Sequence, residues 1–430
     1  MTSNRHSFLI TARIYYILLF FIAGIFSVIV YNNWQFKKKY FSVDLRNRIV
    51  GARVLEHRHG VSPYGYKWKK EDGEMYLDII DSPQTPVNRN TVTPFFLQLL
   101  LPFADNKFQS IAEAWYWIEI ISLLLATVFM VWLSKGFINK IWVATIGFIF
   151  IGCSTGFKMH NINGQAYIFF AVLMLLLYLL FTKDKNILRE ALSGLILSIL
   201  ILTRPITVVF LLPYLIRKKW MTIVAVTCCF AVYFILLSTR HFLWLWPDYL
   251  NAMNYWSKDY FNPTVLKEYG QIYPLSTIEG STAIEQSLIW HVSEDSALRG
   301  MVHRIFHVKL YTAQLVTASV ILVGYFLFMF RKKIARAGIE QLFIVCFIAY
   351  LLLEICLPAV RNSYNYVQWL FPLIVIFSNR RFSLPVYGLM ILAGWLALGF
   401  LKFLPFDLTL AELIFTAICF HYIKSISPIA

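Results

Sequence analysis

The feature that most constrains this chain is a succession of long apolar runs free of charge, the first extending from Ile14 to Val30. A helix rises about 1.5 Å per residue, so such a run covers most of the roughly 30 Å hydrocarbon core of a bilayer. Of the 430 residues, 59% are apolar and 14% charged. A soluble domain carries about a quarter charged residues. A water-soluble class is therefore excluded, and lipid is the solvent for most of the chain. The first run is longer than the apolar stretch of a secretory signal, and no small-residue cleavage site follows Asn33. It is expected to be a retained anchor.

The runs predict an all-α, polytopic integral membrane protein. Ten full transmembrane helices are expected near 14–33, 109–133, 141–157, 166–181, 220–238, 310–330, 339–357, 364–378, 384–401 and 408–423. The pieces 189–203 and 205–216, parted by Arg204-Pro205, are each short for a crossing and predict a short helix hairpin. Cytoplasmic loops of membrane proteins collect Lys and Arg. With the N-terminus inside, the short inner segments hold Arg5, Arg13, Lys135, Lys140, Lys183, Lys185, Arg189, Arg217, Lys218, Lys219, Arg331, Lys332, Lys333, Arg336, Arg380, Arg381 and Lys424, seventeen in all. The short outer loops hold four: Lys158, Arg204, Arg361 and Lys402. Both termini are therefore expected in the cytoplasm.

That asymmetry accounts for the formal charge of +16 without a nucleic-acid partner, which would require clustered cations on a soluble surface. The chain reads as a single transmembrane domain, 1–430, with two large outer loops, 34–108 and 239–309. Long ordered loops on a rigid scaffold tend to carry function, and the chemistry is expected there. Leu45, Ile49, Ala52 and Leu55 share one helical face, and 91–104 is too short to span, so these loops are expected to carry interfacial helices. All six cysteines lie inside apolar runs and read as small core residues.

Phosphate-binding glycine loops, a nucleophile elbow and a zinc-protease helix motif are all missing. Polar residues instead gather at the outer ends of the predicted helices: Asp44, Lys158, His160, Asn161, Asn163, Gln165, Arg204, Arg361, Asn362, Tyr364 and Tyr366. They are expected to line an outward-facing cavity. Glu119 and Glu354 fall within helices and are expected to be interhelical partners.

The order of several motifs is informative. Asp44 follows the first helix and precedes an alanine-containing amphipathic helix and the Gly60 to Pro63-Tyr64 turn. Thr93-Pro94 opens an apolar helix, and Asn163-Gly164-Gln165 and Arg204-Pro205 come next. Glu285-Gln286-Ser287-Leu288 and the polar, aromatic stretch Arg361 to Tyr366 complete the series. Over most of its length the chain thus resembles glycosyltransferase family 87, the polyprenol-phosphate-mannose-dependent enzymes of the GT-C superfamily. It departs from the family pattern at Thr91-Val92-Thr93-Pro94, where the family has Tyr-x-x-Pro-Pro. It departs again at Tyr167, where a polar residue is expected, and at Glu285, which replaces asparagine. These departures bear on the sugar and the acceptor.

The resemblance implies transfer of a sugar, mannose by analogy, from a polyprenyl-phosphate donor to a lipid or glycan acceptor. It implies this at the outer face of a bacterial inner membrane, with membrane lipids as the surroundings. An activated phosphate leaving group calls for a base and for cations, and no metal or other cofactor is expected. Asp44 is the candidate base, its alternative role being an N-cap for a helix starting at Leu45. Arg204, Lys158, His160 and Arg361 are candidate phosphate ligands, their alternative being cations that snorkel to the interface. His160 has a further alternative as a hydrogen-bonded structural residue. Asn163, Gln165, Gln286, Tyr364 and Tyr366 are candidate substrate contacts. Rival functions are a glycan polymerase or ligase using a polyprenyl-pyrophosphate-linked oligosaccharide, and a transporter. Paired halves, which a transporter would be expected to show, are missing.

Overall fold

The computed structural model describes residues 2–37, 42–57, 60–64, 90–182, 186–259, 296–357, 361–399 and 407–424. Among these, every regular element is helical. In chain order they are α1 (Thr2–Lys37), α2 (Val43–His57), α3 (Pro94–Leu100), α4 (Phe108–Leu133), α5 (Phe137–Ala144), α6 (Thr155–Asn163), α7 (Tyr167–Thr182), α8 (Ile187–Thr203) and α9 (Leu212–Ile216). There follow α10 (Trp220–Thr239), α11 (Leu245–Asp259), α12 (Leu298–Phe306), α13 (Thr312–Arg336), α14 (Ile339–Ile355), α15 (Leu370–Asn379), α16 (Leu384–Ala397) and α17 (Asp407–Lys424).

Four helices are long and apolar enough to cross a membrane unaided: α1 over Arg13–Gln35, α4, α10, and α13 over Thr312–Lys332. Their outward apolar side chains are left uncovered by protein, as with Phe20 and Phe21 on α1 and Val320 and Ile321 on α13. Lipid is the solvent such surfaces require. Four candidate crossings are unbroken among the described residues, and the other expected spans fall on shorter or interrupted helices. The expected span 141–157 is one of these. There α5 runs into a π-helical stretch, Thr145–Ile151, which meets α6 at a 57° bend.

The chain divides into two units. The first comprises Met1–Ser42, Ala114–Tyr178 and Ser363–Ala430. Its centre is α15, preceded by the 3₁₀ segment Ser363–Trp369, and Leu370 to Ser378 are buried throughout. A helix that is apolar on every side has to be enclosed, and α5 and α17 pack on it. Polar side chains tie the packing at two points: Trp369 Nε1 donates to Glu412 (3.1 Å), and Asn139 donates to the Ser378 carbonyl (3.2 Å).

The second unit comprises Val43–Glu113 and Leu179–Asn362. Its enclosed helix is α14, against which the 3₁₀ segment Pro205–Leu211 and α13 pack. Proline explains why the second arm of the predicted hairpin is a 3₁₀ segment and a short α9. Pro205 and Pro213 carry no N–H, so each removes a bond that a continuous α-helix needs. The crossing of α8 and α10 is close, since a Cβ on Gly194 would lie 2.4 Å from that of Ala225.

On α2, Leu45, Ile49, Ala52 and Leu55 are buried on one face, as their spacing predicts. The opposite face is enclosed too, for Asn47, Val50 and Val54 are buried, and so are Arg46, Arg48 and Arg53 around the helix. The guanidinium of Arg53 donates to the carbonyls of Ala104 (2.6 Å) and Asn106 (2.9 Å), and that of Arg48 lies over the Phe96 ring. Carbonyls and rings thus replace water around these cations, which apolar periodicity does not reveal.

Candidate active site

In the second unit the site is built around the end of α8. A residue before proline is driven out of the helical region, and Arg204 (φ −148°, ψ 89°) leaves the helix there. Its neighbours are fixed from outside. The Thr93 hydroxyl accepts from Phe96 N–H as the N-cap of α3 and donates to the Leu202 carbonyl (2.7 Å). The Thr93-Pro94 motif therefore anchors the backbone just ahead of Arg204.

Released from the helix, the Arg204 guanidinium pairs through Nη2 with Oε1 of Glu354 and lies 5.5 Å from the Tyr350 ring centre. The other carboxylate oxygen, Oε2, accepts from Nε of Arg361 at 2.9 Å. Tyr350, one turn before Glu354 on α14, donates its hydroxyl to Oε1 (3.3 Å). Arg361 is further clasped by Ser296, whose hydroxyl accepts from Nη1 (2.9 Å) and donates to the Arg361 carbonyl (3.0 Å). Glu354 and Arg361 are buried, whereas the Arg204 side chain retains 13% of its exposure. One buried carboxylate thus gathers two of the candidate phosphate ligands, of which Arg204 is the more exposed.

Beside this cluster lies an aromatic wall. The Ser62 hydroxyl donates to Asp248, and the Tyr64 ring meets that of Tyr249 at 5.5 Å. These contacts dock the Gly60 to Tyr64 turn on α11. Burial pushes the Tyr249 hydroxyl up to about 12 against the opposing pull of the Arg204 charge. Burial drives the Tyr64 hydroxyl well above the usual phenol range as well.

Asp44 is half-buried in the first turn of α2. The helix begins at Val43, so Asp44 lies inside it rather than at its cap. There its charge is favoured by the positive end of the helix. From α2 the packing continues to α3, and from α3 to the end of α8.

The first unit holds Lys158, His160, Asn163, Gln165, Tyr364 and Tyr366. Gly164 closes α6 in the left-handed conformation (φ +64°), which glycine adopts without strain. Asn163-Gly164-Gln165 therefore ends one helix before α7 starts at Tyr167. His160 is fully buried, and its Nε2 accepts from the Ile168 N–H at 3.2 Å. Its proton then lies on Nδ1, 3.6 Å from the buried Glu119 carboxylate. This geometry matches the structural alternative for His160, and Glu119 faces it from α4 as an interhelical partner, whereas Glu354 pairs with Arg204 and Arg361, which lie just outside helices. Tyr366 is likewise enclosed, donating to the Phe150 carbonyl (3.1 Å) and packing on Phe415. Tyr364 stacks on Tyr167 and stays partly exposed, as do Lys158 and Asn163, while Gln165 is buried with its carbonyl accepting from Trp115. Gln286 lies outside the described residues.

Ser296 and Tyr350 escaped the sequence reading because neither stands in a motif. The four-residue spacing of Tyr350 and Glu354, which puts them on one helix face, was the available signal for Tyr350.

The model of glycosyltransferase family 87 matches residues 91–354, well over half of the chain. No curated protein and no solved structure matches it.

Proposed function

The chain belongs to glycosyltransferase family 87, and from that premise we propose that it moves a sugar from a polyprenyl-phosphate carrier to a lipid or glycan acceptor at the non-cytoplasmic face of its membrane. Mannose is the sugar that the family resemblance implies. The observation that carries the reading is the convergence of Arg204 and Arg361 on Glu354. Guanidiniums held in a fixed orientation, that of Arg204 partly exposed, suit the oxygens of a phosphate group.

In the proposed reaction, Asp44 takes the proton of the acceptor hydroxyl while that oxygen attacks the anomeric carbon. The bond from that carbon to the phosphate oxygen breaks in the same displacement. The polyprenyl phosphate departs with the electron pair, and its growing charge is met by Arg204, supported by Arg361. Tyr364, Lys158 and Asn163 remain candidates for contacts to the substrates, and Gln286 and Gln165 are retained from the resemblance.

Incubating the purified protein with polyprenyl-phosphate sugars, a polyprenyl-pyrophosphate oligosaccharide and nucleotide sugars tests the donor class. Consumption of the monophosphate-linked sugar supports the reading. Consumption of the pyrophosphate-linked or nucleotide-linked donor alone refutes it.

A further inference from the structure

We propose that the Gly60 to Tyr64 turn and the first turn of α11 form a subsite for the hexose of the donor. There the Asp248 carboxylate accepts from one sugar hydroxyl and the Tyr64 hydroxyl bonds to another. The proposal rests on the phosphate-site reading of Arg204. The turn is singled out by the order of the sequence motifs yet takes no part in the reaction described above.

Ser62 joins the two halves. Its hydroxyl accepts from the Tyr64 N–H at 3.1 Å and donates to Oδ2 of Asp248, so the carboxylate is pinned through one oxygen. The other oxygen, Oδ1, has no partner among the described residues, and Asp248 is half-buried. Tyr64 is 4% exposed, and its hydroxyl has no hydrogen-bond partner among the described residues, although it lies within reach of the Asp248 charge. A buried hydroxyl without a partner is costly and uncommon. An oxygen that only accepts, beside a hydroxyl that can donate or accept, matches a neutral polyol. An anion fits poorly, since Asp248 repels it.

The placement of these groups points to the sugar of the donor. Trp246, in the same turn of α11, packs against Leu202, Tyr233 and Leu237 and donates Nε1 to the Tyr233 hydroxyl (3.2 Å). These contacts seat α11 beside the end of α8. Tyr249, next to Asp248, meets the Tyr64 ring at 5.5 Å and lies in the field of Arg204. A sugar is joined to its phosphate by a single oxygen, so a phosphate on Arg204 brings the hydroxyls of that sugar to neighbouring groups.

Comparing the donor KM with inhibition by sugar-free polyprenyl phosphate separates the sugar from the phosphate. The donor is polyprenyl-phosphate mannose, or the polyprenyl-phosphate hexose consumed in its place, with the full-length protein in nanodiscs. Asp248→Asn keeps a side-chain acceptor for Ser62 and puts an amide donor where the open oxygen stood. Donor KM should rise about tenfold or more, the scale of one charge-assisted hydrogen bond, while the inhibition constant of the carrier and the acceptor KM stay within about twofold. Tyr64→Phe removes only the buried hydroxyl. Its thermal midpoint without substrate should not fall, since an unpartnered buried group is lost, yet its donor KM should rise severalfold. A purely structural hydroxyl gives no such split. Either folded variant with the wild-type donor KM, a carrier constant that rises in step with donor KM, an acceptor KM that rises alone, or a lowered midpoint in Tyr64→Phe overturns the proposal. Should Asp248→Asn fail to fold, Tyr64→Phe decides by the same criteria. If no polyprenyl-phosphate hexose is consumed and the carrier does not inhibit, the donor reading falls and the proposal with it. If the donor is consumed and the carrier inhibits, any of the overturning results removes the sugar subsite alone.

Discussion

Replacing Arg204 by alanine separates the phosphate-binding role of this residue from its role in packing. In that variant Glu354 keeps Arg361 at 2.9 Å and the Tyr350 hydroxyl at 3.3 Å, so its carboxylate is not orphaned. The structural loss includes one charge-assisted hydrogen bond, about 1.5–3 kcal/mol, and the contact with the Tyr350 ring. Arg361→Ala removes bonds to both Glu354 and Ser296 from a more buried position and should cost about 3–5 kcal/mol, the range for breaking a buried ion pair. Arg204→Ala is therefore the milder change for folding. For the donor, the loss of one charge-assisted contact to phosphate converts to about a ten- to hundredfold rise in KM. Arg204→Lys should recover part of this, since an ammonium supplies charge without the planar fork. The assay is donor titration in nanodiscs, paired with thermal unfolding of each variant. A folded Arg204→Ala protein with a donor KM within about twofold of wild type would refute the phosphate role and leave Arg204 as a tie for Glu354.

In a background without the six native cysteines, cysteines placed at Lys332 and Asn251 should label from opposite sides of the membrane, the former from the cytoplasm; labelling from one side would overturn the charge-based topology. Gly194→Ala should lower the thermal midpoint by forcing α8 and α10 apart, a cost of about 1–3 kcal/mol, and an unchanged midpoint would contradict that crossing. The raised Tyr249 hydroxyl makes stability fall with alkalinity. The folded form keeps a proton that the unfolded chain begins to lose near 10.0, so stability present below that pH is lost as pH rises towards about 12. Unfolding scans across this window should show a shallower decline in Tyr249→Phe, and equal slopes would count against the burial of that hydroxyl.

The helices and the break at Arg204-Pro205 were legible because apolar runs and proline act locally on the backbone. So was the apolar face of α2, from the spacing of Leu45, Ile49, Ala52 and Leu55. The burial of Arg48 and Arg53 beside that face was not, since their partners, Phe96 and the carbonyls of Ala104 and Asn106, come from elsewhere in the chain. The site follows the same division. Arg204 and Arg361 stood out as cations at helix ends, but Glu354 lies 150 residues from Arg204, and no local pattern announces that one carboxylate holds both. His160 drew notice as a polar residue near an outer helix end. Its role depends on which groups meet its two nitrogens, Ile168 N–H and Glu119, and only the fold supplies that.

The proposed transfer requires a carboxylate that activates the acceptor for attack on a polyprenyl-phosphate sugar. Release of free polyprenyl phosphate by purified wild-type and Asp44→Asn protein, in the presence of acceptor, measures this directly. Asparagine keeps the size of the side chain and gives up a favourable interaction with the start of α2 of about 0.3–1 kcal/mol, so the fold should survive. Acceptor-dependent release should fall by two or more orders of magnitude, the usual scale for a lost general base, with donor binding retained. An Asp44→Asn protein that releases the carrier at the wild-type rate would contradict the account.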